Sequence, residues 1–520
     1  MKSIDRLALE RAANEVSEVI RGPGGAVGIV KDGEVILRRS WGYADPKKHL
    51  PVTPSIRFPI CSISKQFTCG ILLGLNRDLE AFDAILECYL PLMETTRPSV
   101  RQLCNNQSGL RDYWALTVLH GADAEGVFRK EDARLLFACM RSTHFSPGEN
   151  YSYSNGNYRI LSDLIEEFTG RSLGELYRER IFTPAGMATA ELIPDTSVPA
   201  DGMVGHEGND KVGFFPATNR IFWTGDAGIS ASLDDMLAWE CFIDQTRDDG
   251  SAIYRCLSEP QTFSDGSRAP YGYGLAHDLI DDMPTTGHGG ALRGFRTCRL
   301  HCASERISVV VLFNHEGDAH GTAKRLMRVA VGLPEEIQEA VPVDPDWKGQ
   351  FIDPDTGLLL TLLPDHNGLD VSFATSSERL SFDGKDRARS PSMTLVRRGS
   401  EVDFRRWREN LHGTAIRVGG ELRRDIAGRY YAREVDGFIT IVEANETFSG
   451  CFEGYLGTGE MTPLYPVAED IWILPCRRSM DAPAPGDWTV RVQRDGGGSV
   501  IGLTIGCWLA RNIGYVRTSP

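Results

Sequence analysis

Ser62-Ile63-Ser64-Lys65 is the one Ser-x-x-Lys in the chain, and it follows an extended apolar segment, Ile56-Arg57-Phe58-Pro59-Ile60-Cys61, at the point where a helical pattern begins. Residues three apart share a helix face, so the Lys65 amine can lie beside the Ser62 hydroxyl at the positive end of the helix dipole. A weak nucleophile then has a neighbouring base or proton relay, which makes Ser62 a candidate for covalent catalysis. Ser and Lys at this spacing also stand on ordinary solvated helices, so the pair alone does not decide the chemistry.

Two later stretches add to it: Tyr153-Ser154-Asn155, the one Tyr-x-Asn, and His288-Gly289-Gly290, which runs into Ala291-Leu292-Arg293-Gly294-Phe295. Around and between them stand Asn106-Gln107-Ser108-Gly109-Leu110, Phe145-Ser146-Pro147-Gly148, Pro184-Ala185-Gly186-Met187, Gly225-Asp226 through Gly228-Ile229-Ser230, and Tyr271-Gly272-Tyr273-Gly274. On these residues the chain, from about residue 1 to about 330, resembles the serine β-lactamases and penicillin-binding proteins. Their three motifs are Ser-x-x-Lys, Ser-x-Asn or Tyr-x-Asn, and Lys-Thr-Gly or His-x-Gly.

The resemblance implies an antiparallel sheet flanked by helices, an all-helical subdomain, and a nucleophile at their junction. It also implies acyl transfer, with Ser62 attacking a carbonyl and the backbone amides of Ser62 and Ala291 facing the oxyanion. Lys65 must be neutral for part of the cycle, which burial favours, and Tyr153 can serve instead if nearby cations favour its phenolate. The residue types leave that choice open. Asn155 carries both a donor and an acceptor and can hold the lysine and the substrate amide together. His288 stands where many members have lysine, and its imidazole can relay a proton or hydrogen-bond Tyr153. Gly289 and Gly290 let substrate backbone lie against a strand edge.

Composition narrows the alternatives. With 520 residues the chain is long enough for about three domains of about 150 residues, one of them enlarged. Its hydrophobic (41%) and charged (24%) fractions are those of a soluble globular protein, and no apolar stretch is long enough to span a bilayer. A formal charge of −15 argues against nucleic-acid or anionic-membrane partners. The first ten residues carry acids where a secretory signal needs an unbroken apolar run, so the expectation is a cytoplasmic protein.

Twelve dispersed cysteines without a Cys-x-x-Cys pair fit reduced thiols, Cys298 and Cys302 on strands among them. Cys61 is a rival nucleophile by position only, since no Cys-His constellation accompanies it. His315-Glu316 followed by His320 misses the metalloprotease spacing, and no phosphate-cradling glycine loop occurs, so neither a metal nor any other cofactor is expected.

Helical spacing over Asp5 to Arg21 precedes strands at Gly25 to Val30 and Glu34 to Tyr43, joined through Asp32-Gly33. Strand character returns at Arg296 to Leu300 and Ile307 to Asn314, before a helix from about Gly321 to Val331, so the two ends of this region share one sheet. The intervening sequence is mainly helical, at Tyr158 to Phe168, Leu173 to Glu179 and Leu233 to Ile243. The fold class is thus multidomain α+β, with a catalytic domain over residues 1–331 and an acidic linker over 332–345. After it Gly349-Gln350-Phe351 and Gly428-Arg429-Tyr430 each lead into an apolar strand pattern, and the echo divides the rest into small antiparallel β-barrels at 346–418 and 419–520. A single β-sandwich is the alternative.

A Tyr-x-Asn and His-x-Gly catalytic domain followed by two β domains resembles the D-aminopeptidases, which implies release of small, D-Ala-like N-terminal D-residues from peptides, amides and esters. A carboxylate would then receive the substrate ammonium. Pro475 to Gly486 is a proline-stiffened loop with Asp481 near its middle, and it is expected to reach and cap the active site with Asp481 binding substrate. A D,D-carboxypeptidase or esterase is the nearest alternative, and Arg293 would favour the first; a noncatalytic peptide-binding scaffold is the remoter one. The expected partner is a small substrate with a free amine, and the β domains offer surface for a homodimer.

Overall fold

The computed structural model describes residues 5–334, 344–365, 368–374 and 377–519. Helix α1 (Arg6–Val19) starts at Asp5, whose carboxylate accepts from the Leu7 and Ala8 amides at 3.0 Å each, satisfying donors that a helix start leaves free. β1 (Gly24–Lys31) and β2 (Glu34–Asp45) form a hairpin through Asp32 and Gly33, which both take positive φ (53° and 80°). Helices α2 (Ser64–Leu75), α3 (Asn155–Thr169) and α4 (Leu233–Gln245) follow, with shorter helices between them. The domain closes with β3 (Leu275–Ile280), β4 (Met283–Leu292), β5 (Phe295–Cys302), β6 (Ile307–Phe313) and α5 (Ala319–Val331).

Both ends of this region share one antiparallel sheet, ordered β3-β4-β5-β6-β1-β2, with short strands Tyr271–Gly272 and Leu50–Pro51 on its two edges. Alternation along the strands divides its faces. Val27, Ile29, Val309 and Val311 pack against Leu9 and Val16 of α1 and Leu326 and Met327 of α5, whereas Ala26, Val30, Val310 and Leu312 belong to the core under the helical insertion. Gly28 lies on that second face, where a Cβ would collide with Leu237, so its absence lets α4 approach.

Beyond the catalytic domain stand two closed eight-stranded antiparallel barrels. The first runs from Gly349–Ile352 to Leu411–Arg417, which pair through Phe351 and Arg417. The second begins at Gly428–Ala432, pairs that strand with Ala510–Ser519, and closes where Gly437–Ala444 meets Thr447–Gly454. Each echoed Gly-x-aromatic stretch is a first barrel strand, and closure rules out the single sandwich. Of the linker expected over 332–345, residues 335–343 lie outside the described residues. The second barrel is tied to the catalytic domain behind the nucleophile: Asp112 donates its amide to Leu509 O (3.0 Å), and Arg111 pairs with Glu434 (2.8 Å).

Candidate active site

Ser62 sits where the chain leaves the strand Arg57–Pro59 and turns into α2. Cys61 just before it has a left-handed backbone (φ 53°), a costly conformation for a residue with a side chain, so the surroundings must hold it. Thr297 on β5 donates to Ile60 O at 3.0 Å, and Gly290 on β4 leaves bare the space where a Cβ would strike Ile60 O and Cys61. The glycine of the third motif is therefore required by the first. Cys61 itself donates its thiol to Pro59 O (3.3 Å), and burial pushes that thiol up to about 12, which removes it as a rival nucleophile.

One turn beyond Ser62, at the start of α2, Lys65 is fully buried and its Nζ has three neighbours: Ser62 Oγ (3.1 Å), Asn155 Oδ1 (2.8 Å) and Asp226 O (2.6 Å). Burial lowers its pKa to about 8 against the pull of Asp226 and Asp112. Asn155 begins α3, and its amide orientation is fixed because its oxygen takes the lysine while its Nδ2 faces Asp112 (3.4 Å). Asp112 also accepts the Asn155 backbone N–H (2.6 Å), and burial raises it to about 6. Asp226 accepts from Tyr113 OH (2.7 Å) and from the Thr224 amide (2.9 Å), which holds its own carbonyl toward Lys65.

On the opposite side of Ser62, Tyr153 donates its hydroxyl to Oγ at 2.8 Å, and burial raises the phenol well above its usual value. His288 is not bonded to Tyr153, which was one of the two roles open to its imidazole; the rings lie 6.0 Å apart. Its Nδ1 meets Gly289 O (2.5 Å), a group that only accepts, so that nitrogen carries the proton. Burial and Lys65 depress His288 to about 3, which keeps it neutral, and Nε2 is then an acceptor for Tyr271 OH at 3.0 Å. β3 pairs with β4 only as far as Gly287, so the edge from His288 to Ala291 has no strand partner on that side among the described residues.

Ser62, Tyr153, Asn155, His288, Gly289, Gly290 and Ala291 line one cavity of about 470 Å³, with Trp114 and Trp223 on its walls. The loop from the second barrel does reach it, through Ala482 and Pro483. Asp481 does not line it. Its carboxylate is buried and accepts from Thr196 Oγ1 (3.0 Å) and from the amides of Arg220 (2.8 Å) and Ile221 (3.2 Å), so it anchors the loop and corrects the expectation that it contacts substrate. The carboxylates along the cavity are those of Glu316, held by Arg296 (3.3 Å), and Asp318, which caps α5 through the Gly321 amide (2.8 Å). Arg293 is spent on Glu207 (2.7 Å) and Glu125 (2.9 Å) and supplies no free cation.

Sequence reading passed over Asp112, Tyr113, Trp114 and Trp223, and it quoted Asp226 and Tyr271 without a role. The signal for one of them was at hand, since Tyr271 opens the Tyr-Gly-Tyr-Gly stretch.

A serine bonded to a buried lysine and a tyrosine, set between an antiparallel sheet and an α-rich insertion, defines a serine hydrolase of the β-lactamase class. Residues 9–333 match the β-lactamase family model, and residues 340–516 match the model described as D-aminopeptidase, domain B. A D-aminopeptidase of Brucella anthropi is 52% identical over 519 residues, covering 99% of both chains, and one of Brucella melitensis biotype 1 is 50% identical over 518 residues, covering 99% of this chain and all of that one. The chain belongs to the D-aminopeptidases of the β-lactamase family. Among solved structures its fold is similar to an octameric penicillin-binding protein homologue from Pyrococcus abyssi (TM-score 0.51, 20% identity, 79% of this chain and 100% of that one). A D-stereospecific amidohydrolase from Streptomyces is also similar (TM-score 0.50, 19% identity, 63% and 98%).

Proposed function

We propose that the protein removes small N-terminal D-residues from peptides, amides and esters through an acyl-enzyme on Ser62, with neutral Lys65 as the base. One observation carries the reading. Two of the three neighbours of Lys65 Nζ, Asn155 Oδ1 and Asp226 O, only accept hydrogen bonds here. A neutral amine has two N–H bonds and one lone pair, so loss of a proton leaves that lone pair facing Ser62 Oγ. Ser62 can then donate to Lys65 while accepting from Tyr153, whose raised pKa keeps it a donor.

On attack the Ser62 proton passes to Lys65, Oγ bonds the carbonyl carbon, and the backbone amides of Ser62 and Ala291 stabilise the oxyanion. Collapse breaks the bond to the leaving nitrogen or oxygen, which takes the proton that Lys65 received, so Lys65 is neutral again for the second half while Tyr153 keeps Oγ oriented. Water then releases the acyl group by the same route. Neutral His288, bonded through Tyr271, holds the β4 side of the site without adding charge. The apolar walls of Trp114, Trp223, Ala482 and Pro483 suit a small side chain. Asp318, whose second carboxylate oxygen is free of the helix cap, is our candidate for the ammonium acceptor.

Hydrolysis of D-alanine amide, L-alanine amide, N-acetyl-D-alanine amide and a D-Ala-D-Ala-terminated peptide tests this reading. The expected order puts D-alanine amide first. Ser62→Ala abolishes both turnover and labelling by a serine-directed acylating reagent, and Asp318→Asn, which keeps the helix cap, raises KM for free-amine substrates about tenfold. Equal turnover of the N-acetylated substrate would reject the aminopeptidase assignment in favour of an esterase or carboxypeptidase, and an unlabelled wild-type protein would point to a scaffold.

A further inference from the structure

A second cavity, of about 940 Å³, lies between the catalytic domain and the first barrel. The chain carries a net charge of −15, yet Arg255, Arg268, Lys324, Arg405 and Arg408 all line this space without an ion-pair partner among the described residues. Arg247, also in the lining, is held by Asp244 and Asp248, and Asp278 is the one acidic residue there. Arg405 lies over the Trp407 ring at 3.9 Å, and Arg408 lies over Tyr151 at 5.8 Å with a buried Nε that has no hydrogen-bond partner. Arg255, Arg268 and Arg405 are exposed at the rim, Asp278 and Glu409 favour the Arg408 cation without pairing with it, and the orphaned buried Nε of Arg408 leaves one donor unsatisfied. An anion bound among these unpaired cations gives them charge-assisted partners.

The cavity adjoins the Ser62 pocket. His320 lines both, and β4 carries Thr286 in the basic cavity and His288 in the reactive one. Two residues along a strand span roughly 7 Å, so an extended peptide crosses from one to the other within about two residues. We propose that the basic cavity binds the C-terminal carboxylate of a short peptide substrate while its N-terminal residue lies at Ser62. This rests on the aminopeptidase reading above. The part of the substrate beyond the scissile bond then passes His320 and ends among the arginines, which favours peptide acids of about three residues over simple amides.

The experiment compares D-Ala-Gly-Gly bearing a free C-terminus with the same peptide bearing a C-terminal amide, and D-alanine amide serves as the reference. Arg255→Gln, Arg268→Gln and Lys324→Gln are combined in one variant, because none of these side chains is fully buried and their loss leaves the core intact. In the wild type, KM for the free acid is expected to be about tenfold lower than for the peptide amide, the effect of one charge-assisted contact. In the variant that difference disappears, while D-alanine amide is turned over within about twofold of wild type. Inorganic phosphate is expected to raise KM for the free acid in the wild type alone and to leave D-alanine amide hydrolysis unchanged.

A wild-type enzyme that treats acid and amide alike, or a variant that keeps the preference, overturns the proposal. So does a phosphate effect on D-alanine amide hydrolysis that the variant loses, since the cavity would then hold a free anion as effector. Failure of the underlying reading looks different: the wild type would turn over none of the three substrates.

Discussion

The two walls of the Ser62 pocket are built on opposite plans. Behind the serine, Lys65, Asn155, Asp112, Asp226 and Tyr113 form a buried network in which each polar group is spent on fixing its neighbour. Across the cavity, the loop from the second barrel turns its polar groups away. Arg478 pairs with Glu207, Ser479 bonds Trp114 O, and Asp481 takes two backbone amides, so that Ala482 and Pro483 are what the cavity meets. The catalytic domain thus supplies the reacting groups and the barrel supplies shape. Changes to the first wall should cost rate, and changes to the second should cost selectivity.

The largest effect belongs to Lys65. Lys65→Met keeps the side-chain length and removes the amine, and kcat/KM for D-alanine amide should fall about 10²- to 10⁴-fold. The pH profile of the wild type sharpens this. Lys65, lowered to about 8, is the base only when neutral, whereas the substrate loses its ammonium over about the same range, so kcat/KM should rise with pH toward about 8 and fall again above it. His288, depressed to about 3, adds no limb between pH 5 and 7. A flat profile through pH 8 would remove Lys65 from the role of base.

How far each wall was legible in the sequence follows from the same contrast. Ser62, Lys65, Tyr153, Asn155 and His288 lie within short motifs, where spacing on one helix or strand decides proximity, and the structure brings Ser62, Tyr153, Asn155 and His288 to one cavity with Lys65 buried against Ser62. The sheet and the two barrels were legible too, from period-two patterning and a repeated Gly-x-aromatic start. The supporting acids were not. Asp112 and Asp226 meet Asn155 and Lys65 across long stretches of chain, and an isolated Asp in a loop is indistinguishable from a solvated one until tertiary contacts are known. Asp481 failed in the opposite sense: its place in the loop was right, but no local pattern tells which way a carboxylate turns.

A middling effect is expected at Tyr271, which belongs to the first wall although it touches no reacting atom. Tyr271→Phe leaves His288 Nε2 without its donor at little cost in shape. The net loss of one hydrogen bond is about 1 kcal/mol. If Tyr271 positions His288, kcat for D-alanine amide should fall about fivefold with KM little changed, in keeping with that energy. A fall in thermal stability with kcat intact would make Tyr271 only a packing residue.

The smallest effect on rate, and the sharpest on selectivity, should come from the loop. Asp481→Asn keeps the volume and one acceptor but removes the charge that the amides of Arg220 and Ile221 and the Thr196 hydroxyl address together. Hydrogen bonds to a charged group contribute about 1.5–3 kcal/mol, so the closed loop should lose part of its hold while the Ser62–Lys65–Tyr153 cluster keeps its geometry. D-alanine amide turnover should stay within about twofold of wild type, and the rate on N-acetyl-D-alanine amide relative to it should rise several-fold as the apolar cap loosens. Were Asp481 instead the group that holds the substrate ammonium, KM for D-alanine amide would climb and the blocked substrate would gain nothing. The two substrates measured side by side on this one variant therefore separate a carboxylate that holds the wall in place from one that holds the ligand.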